Sequence, residues 1–143
     1  MKDKVNKLYH PLIIQHNKQP VSYGKQENAA IVLEANNPLC GDRFKLYFEI
    51  ENGIIKDLGF HGFGCAVSKA SASVMVSKLN LQMIQESKRS VNSFLEMFEK
   101  QKELKSVLID DEFIPFQAAR DFPGRIKCAT LVWEEMYQYL LKI

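Results

Sequence analysis

Hydrophobic residues recur along this chain with a spacing that changes from segment to segment, and each change marks an element. From Val5 to His16 apolar residues fall at positions 5, 8, 12 and 13, one face of a helix. Pro11 interrupts the run; lacking an N–H and clashing with the preceding turn, it predicts a kink or a helix that starts near it. Residues 17–28 are polar and carry Pro20 and Gly24, which reads as a long, mobile loop. Ile31–Leu33 is a short strand that runs into the turn cluster Asn36-Asn37-Pro38. Arg43–Glu51 alternates, with Phe44, Leu46, Phe48 and Ile50 on one side and charged residues plus Tyr47 on the other, as an antiparallel strand with one wet face does. Asn52-Gly53 follows, a pair that tolerates the positive φ of a tight hairpin, and Ile54–Phe60 is the returning strand.

Beyond Gly62 and Gly64, which punctuate that strand, Cys65–Leu79 reads as a helix with Val67, Ala70 and Val74 on one side and Ser and Lys on the other. Leu81–Lys105 is helical, most clearly at Val91, Phe94, Leu95 and Phe98. Phe113–Arg120 predicts a short helix, Pro123-Gly124 a break, and Ile126–Leu141 a last amphipathic helix. The expected fold is α+β: a three-stranded antiparallel sheet with helices on one face. No repeat or linker divides it, so one domain is expected over residues 1–143.

Composition adds exclusions. With 143 residues, 46% hydrophobic and 25% charged, the chain is neither disordered nor low in complexity. A formal charge of +2 is too small to argue for nucleic acid or an anionic membrane. No apolar run approaches the roughly 20 residues of a membrane span. The apolar stretch near the N-terminus, Leu12–Ile14, is shorter than a signal peptide needs, so a cytoplasmic location is expected.

The chemistry centres on three cysteines, Cys40, Cys65 and Cys128. An odd, sparse set argues for free thiols rather than a disulfide framework. Cys40 and Asp42 are two apart on a Pro/Gly-bounded loop between strands, where both can reach one metal; a turn-forming Asp is the plainer account. Cys65 follows Gly62-Phe63-Gly64 at a helix start, where free N–H groups favour a thiolate. Cys128 opens the last helix beside Arg125 and Lys127, whose charges do the same. All three stand at element ends, a poor fit to core-filling cysteines, and three thiolates with one carboxylate suffice for tetrahedral zinc. Elsewhere the plain accounts prevail. His10 and His16 are not spaced as a metal pair. His61, four residues before Cys65, can support the site but reads first as a surface residue at a strand end. Trp133 and Phe94 are core, and the Ser-rich stretch at 68–73 has no nucleophile elbow.

Asn37-Pro38-x-Cys40-Gly41-Asp42, then Gly62-x-Gly64-Cys65-Ala66-x-Ser68-x-Ala70-Ser71-Ala72-Ser73, then Phe122-Pro123-x-Arg125-Ile126-Lys127-Cys128-Ala129-Thr130-Leu131 resemble, in that order, the SufU branch of the IscU/NifU-type iron–sulfur assembly proteins. The resemblance implies zinc held by Cys40, Asp42, Cys65 and Cys128, and a persulfide sulfur taken from a PLP-dependent, SufS-like cysteine desulfurase for downstream iron–sulfur scaffold proteins. Within it, Cys40 on its loop is the expected acceptor, because Cys65 and Cys128 are anchored at helix starts; a histidine of the desulfurase replaces Cys40 on the metal. Arg125 and Lys127 are placed to offset the negative ligand set. The alternative is a scaffold that assembles and transfers a [2Fe–2S] cluster on the same ligands. A plain structural zinc domain is a third reading. Lys127, where the classical scaffold has histidine, and a longer step from Cys65 to Cys128 favour zinc-dependent sulfur transfer.

Overall fold

The computed structural model describes residues 7–99 and 110–143. Its elements in chain order are α1 (Pro11–Lys18), β1 (Ile31–Asn37), β2 (Asp42–Glu51), β3 (Ile54–Phe63), α2 (Ala66–Leu79), α3 (Ile84–Glu96), a 3₁₀ helix η1 (Ile114–Asp121) and α4 (Pro123–Leu141). The strands form one antiparallel sheet in the order β1-β2-β3. Helices α2 and α4 pack on it, and α1, α3 and η1 pack on those helices. The fold is therefore the expected α+β arrangement. Among the described residues no helix is long and apolar enough to cross a membrane.

The hairpin forms where Asn52-Gly53 predicts it, with φ values of 54° and 74° at the two turn residues. Phe44, Leu46 and Phe48 point from β2 into the core, and Phe48 meets Tyr139 of α4 edge-on, centroids 5.4 Å apart. Tyr47 departs from the wet face expected of it and is 6% exposed. A register shift between Tyr47 and Glu49 breaks the alternation, so three consecutive residues, Leu46 to Phe48, are buried.

β1 runs on through Asn36 and Asn37, so the turn is Pro38–Gly41 rather than the predicted Asn cluster. Pairing with Arg43 and Asp42 outweighs the local turn preference of those asparagines. The loop after α1, expected to be mobile, is tied down. The Val21 N–H donates to Ser73 Oγ at 2.8 Å, and residues 22–24 bond along the free edge of β3 through Gly24 N–Phe60 O and Phe60 N–Ser22 O. An unpaired strand edge supplies the partners that loop backbone needs.

The Ser side of α2 is buried: Ser68, Ser71 and Ser73 are at most 1% exposed. Small side chains let α1 and α4 close on this helix from both sides, and hydroxyls satisfy the buried polar groups. Ser71 Oγ donates to the Ala129 carbonyl at 2.5 Å and accepts from Trp133 Nε1 at 2.8 Å.

Pro11 is a helix start, with His10 Nδ1 accepting the Leu12 N–H at 3.1 Å. Pro123 is one too: Pro123-Gly124 lies inside α4, because the first helical position needs no N–H. The helical region expected from Leu81 begins at Ile84, since Leu81 has a φ of 67°. Val5 and residues 100–105, also read as helical, lie outside the described residues.

Candidate metal centre

The hairpin between β1 and β2, the start of α2 and the second turn of α4 meet at one end of the sheet. Asn37 closes β1; its Oδ1 accepts the Leu39 N–H at 3.2 Å, and its carbonyl accepts from Cys40 N at 3.3 Å and Gly41 N at 2.8 Å. That local turn leaves Cys40 exposed, while Asp42, opening β2 opposite Asn37, faces inward and is 2% exposed. The Cys40 loop thus has an anchor in Asn37. An Asn ahead of Pro is a known turn former, which is the signal that identifies its role.

β3 delivers Cys65 through two close approaches. A Cβ on Gly62, whose φ is 152°, would collide with the Arg43 carbonyl, and one on Gly64 with the Phe44 ring and Ser68 Oγ. Cys65 is the N-cap of α2: its Sγ accepts the Ser68 N–H at 3.5 Å and its own N–H donates to Asp42 Oδ1 at 3.3 Å. Cys128 is 1% exposed and lies one turn inside α4 rather than opening it, because that helix begins at Pro123.

Ligand atoms of Cys40, Asp42 and Cys128 all lie within 4.8 Å of one another. Cys65 is outside that trio, its sulfur turned to the helix cap, yet it is close enough to act on both Cys128 and Arg125. Burial, then the negative charges of Cys65 and Asp42, push the Cys128 thiol far above its ordinary pKa. Arg125 is held in its charged form chiefly by Cys65, against the cost of its own burial, with Cys128 adding to the effect. Lys127, expected beside the site, pairs with Glu134 on α4 instead. His61 pairs in register with exposed Lys45, whereas Asp42 and Phe44 face inward, so it sits on the opposite face of the sheet.

A metal fits these residues. Asp42 Oδ2 is buried with no hydrogen-bond partner, an acceptor left open among thiols. Three sulfurs and a carboxylate oxygen are a donor set of zinc type.

The sequence model of the NifU-like N-terminal domain matches residues 8–129. The chain belongs to that family. Its IscU relatives are named iron–sulfur cluster assembly scaffold proteins. The zinc-dependent sulfurtransferase SufU of Bacillus subtilis is 35% identical over 135 residues, covering 94% of this chain and 90% of that protein. The IscU assembly scaffold of Thermotoga maritima is 30% identical over 144 residues, 95% and 94% of the two chains. In three dimensions the chain is similar to a proposed SUF-system scaffold, SufU, from Fervidobacterium islandicum. That match has a TM-score of 0.83 and 32% identity, and covers 93% of this chain and 96% of that one.

Proposed function

We propose that this NifU-like domain is a zinc-dependent sulfur acceptor. Cys40, Asp42, Cys65 and Cys128 would hold the zinc, and Cys40 would take sulfur from the persulfide of a cysteine desulfurase. The observation that carries the reading is the contrast within the cysteine set. Cys40 is exposed on a hairpin turn, whereas Cys128 is buried in a helix and Cys65 caps another. Sequence similarity to a relative named a zinc-dependent sulfurtransferase supports it. Bound here, zinc would favour the thiolate form of its cysteine ligands at neutral pH.

The chain's own residues supply the rest. The Cys40 thiolate attacks the terminal sulfur of the desulfurase persulfide; a new S–S bond forms on Cys40, the old one breaks, and the desulfurase cysteine leaves as thiolate. One sulfane sulfur moves with no net oxidation. Asp42, Cys65 and Cys128 stay in place on β2, α2 and α4 while the turn alone moves. Arg125 offsets their charge.

Peptide mass spectrometry after alkylation tests the reading, with desulfurase and cysteine mixed with the protein without reductant. Added sulfur is expected on Cys40, and none in Cys40→Ser. Persulfide on Cys65 or Cys128 of the wild type, or normal acceptance by Cys40→Ser, would sink it. A second reading, assembly of a [2Fe–2S] cluster as cargo on the same four donors, draws on the IscU relatives. Metal content separates the two: colourless protein with one zinc supports sulfur transfer, and a brown chromophore in protein purified without added iron supports assembly.

A further inference from the structure

Asn37 has two polar atoms on its side chain, and the structure uses one. Oδ1 accepts the Leu39 N–H and shapes the turn that carries Cys40. Nδ2 is buried and has no partner, in a residue only 3% exposed. Directly across the ladder stands Asp42, whose Oδ1 is held by the Cys65 N–H and whose Oδ2 is also buried and unpartnered. Opposed residues of an antiparallel pair have Cβ atoms about 4.5–5.5 Å apart and point the same way, within reach of an amide and a carboxylate. Among the described residues only three buried side-chain polar atoms lack a partner. Two of them are this donor and this acceptor, carried by residues opposed in the ladder rather than scattered through a loosely satisfied interior.

We propose that Asn37 is a positioning residue of the metal centre: its Oδ1 shapes the Cys40 turn, and its Nδ2 donates to Asp42 Oδ2 when that carboxylate turns toward a metal. The inference rests on the metal-binding reading above. A metal-ligating carboxylate usually needs such a donor to fix which lone pair it presents. Asn37 is suited to the task because its backbone belongs to β1 and stays paired with Asp42 when the turn opens. Cys40 can then leave while Asp42 keeps its aim.

The test is a double-mutant cycle on the full chain, with cobalt(II) as the probe and its thiolate charge-transfer absorption as the readout. The four proteins are wild type, Asn37→Ser, Asp42→Ala and the double variant. Serine retains an acceptor for the turn and lacks the amide donor. Asn37→Ser is expected to weaken cobalt binding about tenfold or more with Asp42 present. In the Asp42→Ala background the loss should shrink to less than about threefold, because the donor no longer has a target. Equal losses in both backgrounds would reduce Asn37 to a turn former and overturn the proposal, as would no loss in either. If Asn37→Ser does not fold, Asn37→Thr, which keeps a hydroxyl acceptor on a strand-favouring side chain, runs through the same cycle with the same criterion. Wild-type protein with no cobalt–thiolate band would remove the metal-binding reading and this inference with it; a normal band with equal losses removes this inference alone.

Discussion

Gly64 decides where Cys65 can stand. With no side chain there, the Phe44 ring and the Ser68 hydroxyl close around the backbone, and the Cys65 N–H reaches Asp42. Gly64→Ala is expected to cost about 1–3 kcal/mol in urea denaturation followed by circular dichroism, as overpacking against a ring does. It should also weaken zinc binding, since Cys65 moves with α2's first turn. A loss below about 0.5 kcal/mol would show that Phe44 yields freely. Ser71 carries a different kind of weight: one hydroxyl serves both the Ala129 carbonyl and the Trp133 indole in a dry place. Ser71→Ala strands both, and about 1–3 kcal/mol of stability should go with them. An unchanged urea midpoint would mean that the two groups find each other or water.

Helix α1 is held by polar contacts as well as by Ile13. His16 Nδ1 meets Ser73 Oγ at 2.7 Å, and the same hydroxyl accepts the Val21 N–H at 2.8 Å. On the other side Nε2 lies 3.9 Å from Glu112, which with Asp110 is paired to Lys78. Burial lowers the His16 pKa below the ordinary imidazole value, with Glu112 opposing and Lys78 assisting. The unfolded chain therefore takes up the proton at higher pH than the folded one. The contribution of His16 is full above about pH 6.5 and declines as pH falls toward the folded-state value. Between about pH 7.5 and 5.5 the urea midpoint of the wild type should drop more than that of His16→Gln; parallel curves would refute the coupling. Local rules explain what could be foreseen here. The alternation from Phe44 to Phe48 and the Asn52-Gly53 turn act over a few residues, so β2 and β3 were legible. Which elements close on α2 was not, because its Ser side gains its partners from α1 and α4, far along the chain. Cys40, Asp42, Cys65 and Cys128 could be singled out as candidates from local motifs, while the role of Cys65 as a helix cap and the pairing of Lys127 with Glu134 depend on where each helix starts and which way its side chains face.

The proposed metal centre would join a strand pair, a helix start and a second helix that otherwise meet through the core. A ligand bound only by the folded state should thus stabilise the whole molecule. Free zinc at a hundredfold over its dissociation constant would add about 2.7 kcal/mol, several degrees in Tm for a chain of this size. Stripping zinc with a chelator should lower Tm by that much, and readdition should restore it; an unchanged Tm after confirmed zinc loss would count against a metal that bridges these elements. Trp133 offers a way to watch this. It is the chain's single tryptophan, fully buried, stacked on Phe94 with ring centroids 4.0 Å apart and planes 7° from parallel, and bonded to Ser71. Its indole therefore touches α2 and α3 from a position little more than one turn beyond Cys128. Excited where tyrosine does not absorb, this protein's fluorescence comes from one indole, seated where three helices meet. Emission should shift to the red only when that junction opens to water, and a smaller change on adding zinc would report, without any label, that occupancy at Cys128 is felt along α4.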